Sequence, residues 1–247
     1  MNLPEGHKLV TLHEKPENID LYQNLIDTEW EQIGTMDDNA YEYWYTLLNK
    51  FPRYQFGLFI DGDLAAVGNT CPVYIKRGVK NLPNGGWGEA LKQSITNNKT
   101  PNLLCGLSAT IKNNYRGRGL SKIVLGQMKE IAKEEGFSQL VVPVRPTLKN
   151  RYPLINIKDY IHWKNDDGRL FDPWLRIHMD IGGELLGIAH KSMVATRPIS
   201  TWEELFKMPI KSSGDYILPG GLTPSKVNLK KNVGVYEEPN IWFVHPS

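Results

Sequence analysis

The densest chemical signal in the chain is a nine-residue run, Asn113-Asn114-Tyr115-Arg116-Gly117-Arg118-Gly119-Leu120-Ser121. Glycines at alternate positions let a backbone curl and approach a ligand with no Cβ in the way. Leu120, Ile123, Val124, Met128 and Ile131 recur at helical spacing, so a helix starts on the second glycine. The first turn of such a helix carries unpaired N–H groups and the positive end of its dipole. Together these make an anion site whose natural occupant is a phosphate or diphosphate. Arg116 and Arg118 add charged donors. No Gly-Lys-Ser/Thr follows, which excludes a P-loop, and a third glycine at dinucleotide spacing is missing. A Gly-x-Gly before a helix also occurs as a plain packed turn, so the surrounding elements carry the decision.

An apolar strand over 102–111 precedes the turn, and a shorter one over 139–144 follows the helix. This makes a strand-helix-strand crossover. Gly136, after Lys133-Glu134-Glu135, suits the left-handed position that ends a helix. Pro143 has no N–H for a ladder, which predicts that pairing lapses at the end of its strand. Upstream, a strand is expected over 8–13 and helices over 19–33 and 40–49. Asp61-Gly62-Asp63 between apolar runs at 54–60 and 64–75 predicts a hairpin. Residues 76–100, rich in Gly, Pro, Asn and Lys, read as a long connection anchored by Trp87 and Leu91. After an irregular stretch over 145–171, Asp172-Pro173 opens a helix that Gly182-Gly183 stops. A strand over 184–195, a short helix over 201–206 and strand character over 234–245 complete an α/β chain with a mixed sheet.

With 247 residues, 40% hydrophobic and 23% charged, the chain has globular composition rather than that of a disordered or collagen-like one. A net charge of +2 gives no electrostatic basis for binding nucleic acid or an anionic membrane. Cys71 and Cys105 form no disulfide framework or zinc knuckle, and no metal is expected. No stretch approaches the ~18 uninterrupted apolar residues of a membrane span, and the first residues lack an apolar signal core. A soluble, cytoplasmic protein with a single domain over 1–247 is expected.

The run Tyr115-Arg116-Gly117-Arg118-Gly119-Leu120-Ser121, between a strand and an amphipathic helix, resembles the acyl-CoA pyrophosphate motif of the GNAT N-acetyltransferase superfamily. That pattern, Arg/Gln-x-x-Gly-x-Gly/Ala, is met by Arg116 and Gly119, with Ser121 where Gly or Ala is usual. The resemblance covers residues 54–190. It implies a GNAT fold: a mixed central sheet splayed between the strands at 102–111 and 139–144, with flanking helices. On that reading residues 54–190 are the core and 191–247 a C-terminal extension. It also implies acetyl-CoA or another acyl-CoA as co-substrate, held at Arg116, Gly117, Arg118, Gly119, Leu120 and Ser121. Main-chain groups at Ala109 and Ile111 would meet the pantetheine arm.

Many members of the family place a tyrosine four residues before the glycine that ends the next helix, where it protonates the CoA sulfur. Here that residue is His178. An imidazole titrates near neutrality and acts as acid or base, which a tyrosine of pKa near ~10 does less readily. The alternative is a packing role among Trp174, Ile177 and Ile181. Thr147, where the chain leaves the fifth strand, is the candidate polar helper of His178. Arg145 suits an anionic substrate group and Trp174 a substrate contact, although 145–147 also reads as a strand-end turn with a solvated charge. His162, His190 and His245 read as structural or exposed.

The leading expectation is transfer of an acetyl or other short acyl group to a small-molecule amine. The pairing of Thr147 with His178 also resembles the GNAT-like loading domains of modular polyketide synthases. That likeness implies malonyl-CoA decarboxylation and S-acyl transfer to an acyl carrier protein. A third reading is a non-catalytic CoA-binding regulatory module. A tRNA-using acyltransferase gains no support from the near-neutral charge.

Overall fold

The computed structural model describes residues 3–246. The chain runs β1 (His7–Thr11), α1 (Ile19–Glu29), α2 (Asp38–Lys50), β2 (Gln55–Ile60), β3 (Asp63–Val73) and α3 (Gly86–Thr96). The crossover follows as β4 (Leu103–Ile111), α4 (Leu120–Glu134) and β5 (Gln139–Val144). Then come α5 (Ile157–Tyr160), α6 (Pro173–Asp180), β6 (Glu184–Arg197), α7 (Ile199–Phe206), β7 (Gly214–Tyr216), β8 (Ser225–Asn228) and β9 (Val233–Pro246). One mixed sheet holds the strands in the order β1-β2-β3-β4-β5-β9-β8-β7, with β6 also paired to β9.

Local chemistry accounts for most boundaries. Asp61 (φ 50°) and Gly62 (φ 85°) supply the two left-handed residues that a tight β2–β3 turn demands. Helix α4 stops in a Schellman arrangement: the Phe137 N–H reaches the Ala132 carbonyl at 2.8 Å and the Gly136 N–H reaches Lys133 at 3.1 Å. Helix α6 starts on Asp172, whose carboxylate accepts from the N–H groups of Trp174 and Leu175, with Pro173 at the first helical position. Asp37 caps α2 in the same way and also accepts from the Val194 N–H of β6 at 2.7 Å. Burial lifts that carboxyl to about 6.

Alternation along the strands builds a core on each face of the sheet. Cys105 and Leu107 of β4, Val141 of β5 and Trp242 of β9 face α1, α2 and α3, where Trp44 and Trp87 stack with centroids 5.8 Å apart. Leu104, Leu140, Val142 and Phe243 face α4 and α6, meeting Val124, Leu125, Met128 and Leu175. Each fully buried aliphatic or aromatic side chain here contributes about 1.5–3 kcal/mol, so both layers are strongly held. A third cluster, around Trp202 and Tyr236, packs α7 and the β7–β8 region against Ile33 and Met36.

Four expectations need revision. The segment expected as a long connection contains α3, because Gly86 and Gly88 are not breakers but points of close approach. A Cβ at Gly86 would strike Ser192 and Ala189, and one at Gly88 would meet Asn39 and Asp37. The helix expected over 19–33 ends at Glu29; Trp30 turns extended (φ −86°, ψ 139°) before a short 3-10 turn at Gln32–Thr35. Pairing at Pro143 lapses on one side only, since Pro143 still sits opposite Trp242. Finally, residues 191–247 are not an appendage to a core at 54–190. β9 lies beside β5 over six register pairs, from Gln139↔Pro246 to Val144↔Ile241, and pairs with β6 on its other edge. The only parallel contact in the sheet among the described residues, β4 with β5, consists of Leu104↔Leu140 and Cys105↔Val141. Beyond it the two strands part.

Candidate active site

The opening between β4 and β5 is a cavity of about 430 Å³. Its walls are Gly106 to Ile111 of β4 and Val142 to Val144 of β5, so the splay creates it. At one end lie Arg116 and Ser121 on the turn that begins α4. Gly117 (φ 78°) and Gly119 (φ 77°) take the left-handed conformation, and a Cβ at either would point into open space. No side chain caps the helix, so its first N–H groups face the turn. Arg118 stacks over the Tyr115 ring at 4.9 Å. Leu120 is buried in the core, so only its backbone belongs to the turn. Ala109 and Ile111, half-buried on β4, line the cavity between this end and the other.

Arg116 does not wait with a free charge. It donates to Glu29 Oε2 at 2.7 Å, and the other oxygen of Glu29 accepts from the Asn113 N–H at 2.8 Å. The break after α1 thus ties the acidic end of that helix to the glycine turn before α4. It also turns Trp30 and Glu31 into the cavity wall. The Trp30 indole N–H donates to Thr110 Oγ1 at 2.8 Å, and Thr110 is linked to Ser108 at 2.9 Å.

The far end is built by residues distant in sequence. Arg145 was expected to meet an anionic substrate group, but its guanidinium is already committed. Nε and Nη2 donate to the two oxygens of Glu238 at 2.9 and 3.0 Å, and Nη2 also reaches the Gly220 carbonyl at 2.7 Å. Glu238 is fully buried and also accepts from the Tyr236 hydroxyl at 2.6 Å and from Asn240 Nδ2 at 3.3 Å. Although burial disfavours its charge, the Glu238 carboxylate holds the Arg145 guanidinium above its usual range. Arg145 therefore lines the cavity as structure rather than as an anion receptor. Behind it, buried Lys149 donates to the carbonyls of Tyr152 and Leu222 at 2.7 and 2.8 Å, and burial pulls it down to about 8.

Thr147 and Trp174 both line the cavity. The Thr147 hydroxyl donates to Asp172 Oδ1 at 3.3 Å. Asp172 gathers further donors from Leu148 N–H and the Tyr160 hydroxyl, which locks the strand-end turn to the start of α6. With its proton directed at Asp172, Thr147 faces the cavity as an acceptor.

His178 is elsewhere. It is fully buried, edge-on to Trp174 and tilted against Phe243, and it does not line the cavity. Its Nδ1 is hydrogen bonded to His245 Nε2 at 2.9 Å. Burial, then the neighbouring His245, holds His178 well below the usual imidazole range; burial, then Lys129, lowers His245 to about 4. Two neutral rings share one proton in a sealed space, and the far nitrogen of each has no partner. The packing alternative for His178 is the one that this arrangement supports, and His245 is its partner. Trp174, one turn away, faces the cavity instead.

No protein-family model matches the chain. Arginine N-acetyltransferase avaD of Aspergillus versicolor is 31% identical, across 100% of this chain and 96% of that protein. The chain belongs to the GNAT superfamily. The loading GNATL domain of CurA from Lyngbya majuscula aligns with a TM-score of 0.65 at 16% identity, over 97% of each chain. The GphF GNAT-like decarboxylase, solved with isobutyryl-CoA, gives 0.61 at 14% identity over 97% of this chain and 98% of that one. At such identity these two speak for the fold alone.

As a GNAT protein, this chain is an acyl-CoA-dependent N-acyltransferase. The donor end fits that co-substrate: an open, amide-lined turn with Arg116 leads into a groove where β4 and β5 no longer pair. Among the described residues no group of three or more His, Cys, Asp or Glu could hold a metal ion. Also among these, no helix is long and apolar enough to cross a membrane. Several cavity residues escaped the sequence reading: Glu29, Trp30, Glu31, Asn150, Met193 and Asn240. A helix drawn through residue 33 hid the first three, and Asn240 arrives from β9 by pairing that no local pattern reveals.

Proposed function

We propose that this enzyme transfers an acetyl group from acetyl-CoA to the amino group of a small cationic amine of the arginine type. The supporting observation is the two-ended cavity: an anion-binding turn at one end and the Glu31 carboxylate, held by Asn150, at the other. The named activity of the Aspergillus relative agrees with it.

Acyl-CoA supplies an activated thioester carbonyl. The turn amides and Arg116 hold its diphosphate, with Arg116 exchanging Glu29 for phosphate. The β4 edge at Ala109 and Ile111 guides the pantetheine arm, while Trp30 and Trp174 exclude water from the reacting end. Thr147, an acceptor toward the cavity, orients an N–H of the attacking amine. Among the described residues no imidazole, thiol or phenol lines the cavity. The neutral amine attacks the thioester carbonyl, the C–S bond breaks, the proton lost by the nitrogen passes to the departing CoA thiolate, and the cavity walls contribute positioning.

A second reading is suggested by Thr147 on the cavity wall: acyl loading of an acyl carrier protein after decarboxylation of malonyl-CoA. The sealed His178 counts against it, since that reading needs an accessible acid or base. One assay separates the two. Acetyl-CoA with L-arginine should release free CoA and yield an acetylated product seen by mass spectrometry. Carbon dioxide release from malonyl-CoA, with no turnover of any amine, would overturn the proposal in favour of the second reading.

A further inference from the structure

The acceptor end of the cavity has an excess of hydrogen-bond acceptors and a shortage of donors. Glu31, whose side chain is 46% exposed, receives one hydrogen bond, from Asn150 Nδ2 at 3.1 Å. The nearest cation, Arg145 Nη1, stands 3.7 Å from Glu31 Oε2, beyond hydrogen-bond reach. Nε and Nη2 of Arg145 are already spent on Glu238 and Gly220. A carboxylate offers about four lone-pair sites, and on Glu31 the protein supplies a hydrogen-bond donor to one of them. Beside it, Asn150 Oδ1 is shut off from solvent and has no partner. Both residues line the cavity. Glu31 is also pinned in place: it abuts Gly220, where any Cβ would collide with its carboxylate. Gly220 in turn is held by Arg145.

From this arrangement we infer that Glu31, with Asn150, is the specificity-determining anchor for the acceptor's cationic group. The inference rests on the acetyl-transfer reading above. A guanidinium is the matching ligand. It is planar and always charged, and it presents five donors in a fork that fits a carboxylate side-on. An anchored, non-nucleophilic guanidinium leaves the amine at the other end of the molecule free to meet the thioester. Arg145 stands at ion-pair distance but makes no hydrogen bond to Glu31, because its Nε and Nη2 are held by Glu238 and Gly220. A neutral ureido group of the same shape pairs less well here, since its N–H donors carry no positive charge to set against Glu31.

The test compares L-arginine with L-citrulline, its neutral near-isostere, using the full chain, acetyl-CoA and the release of free CoA. The wild-type enzyme should favour arginine by about 100-fold or more in kcat/KM. Glu31→Gln should raise KM for arginine at least tenfold, change kcat only a few-fold, and narrow the preference over citrulline. Asn150→Ala should raise the same KM less. Calorimetric affinity for acetyl-CoA should be unchanged in both variants, which shows that they are folded. Unaltered KM and preference in Glu31→Gln would overturn the assignment while leaving the acetyl-transfer reading standing. A fall in kcat at constant KM would also overturn it. A wild-type protein that binds acetyl-CoA yet acetylates no amine would sink the underlying reading and the assignment together.

Discussion

Two of the Arg–Glu pairs that border the cavity, Arg116–Glu29 and Arg145–Glu238, differ in what they can do. Arg116–Glu29 joins a guanidinium more than half exposed to a largely covered carboxylate through a single contact. Arg145–Glu238 is bidentate, with the carboxylate wholly inside and further tied to Tyr236 and Asn240. The first pair is exchangeable: water and an incoming phosphate can compete for its cation at little cost. The second is scaffolding, because each charge would be stranded without the other. A sequence shows two arginines near a cleft; burial decides which of them is available to a ligand.

The sharpest way to break this contrast is Glu238→Ala. It should lower stability by about 3–5 kcal/mol by removing the bidentate partner of the largely buried Arg145 guanidinium. An unchanged denaturation midpoint would make that pair no more structural than the other. Next in size is Gly119→Asp, which strains a left-handed position and sets a negative charge in the phosphate turn. It should weaken acetyl-CoA binding by about 2–3 kcal/mol, roughly 100-fold, by calorimetry. Arg116→Ala should cost about 1.5–3 kcal/mol of the same binding energy. Its effect on folding should stay below about 1 kcal/mol, as for an exposed pair.

Acid provides a fourth probe, through another closed pair. Below about 6.5 the unfolded chain takes up protons on His178 and His245, whereas the folded chain resists them. Stability should therefore fall with pH. Asp37, lifted to about 6, runs the other way by up to about 1 kcal/mol. Between pH 7 and 5.5 the net loss should be about 1–2 kcal/mol by denaturant titration, and His178→Phe should reduce it. The smallest effect sharpens the exchange itself. Glu29→Gln frees Arg116 and should tighten acetyl-CoA by about two- to fivefold, the value of an exposed pair of up to about 1 kcal/mol.

What was legible in the sequence was local. The hairpin at Asp61-Gly62, the Asp172-Pro173 helix start and the turn at Gly117 and Gly119 each depend on a few contiguous residues with one favoured geometry. The donor end of the cavity is such a turn, so it could be read directly. The acceptor end gathers Glu31, Arg145, Asn150, Gly220 and Glu238 from five separate stretches, and their roles depend on who pairs with whom. Arg145 looked like a ligand receptor until Glu238 closed on it, and His178 looked catalytic until His245 sealed it. Position on a helix pointed to the segment, but it could not tell the face of Trp174 that meets the cavity from the ring of His178 that meets the core.

The central place of β9 has a consequence for how the molecule is made. Its Glu238 lies 93 positions beyond the arginine it neutralises. Until β9 docks, β5 presents Leu140, Val141, Val142 and Val144 along an open edge with no neighbour on that side. Such an edge is a template for pairing with other chains. Ribosomal stalling or proteolysis upstream of Val233 should therefore give aggregates rather than a shortened but working enzyme.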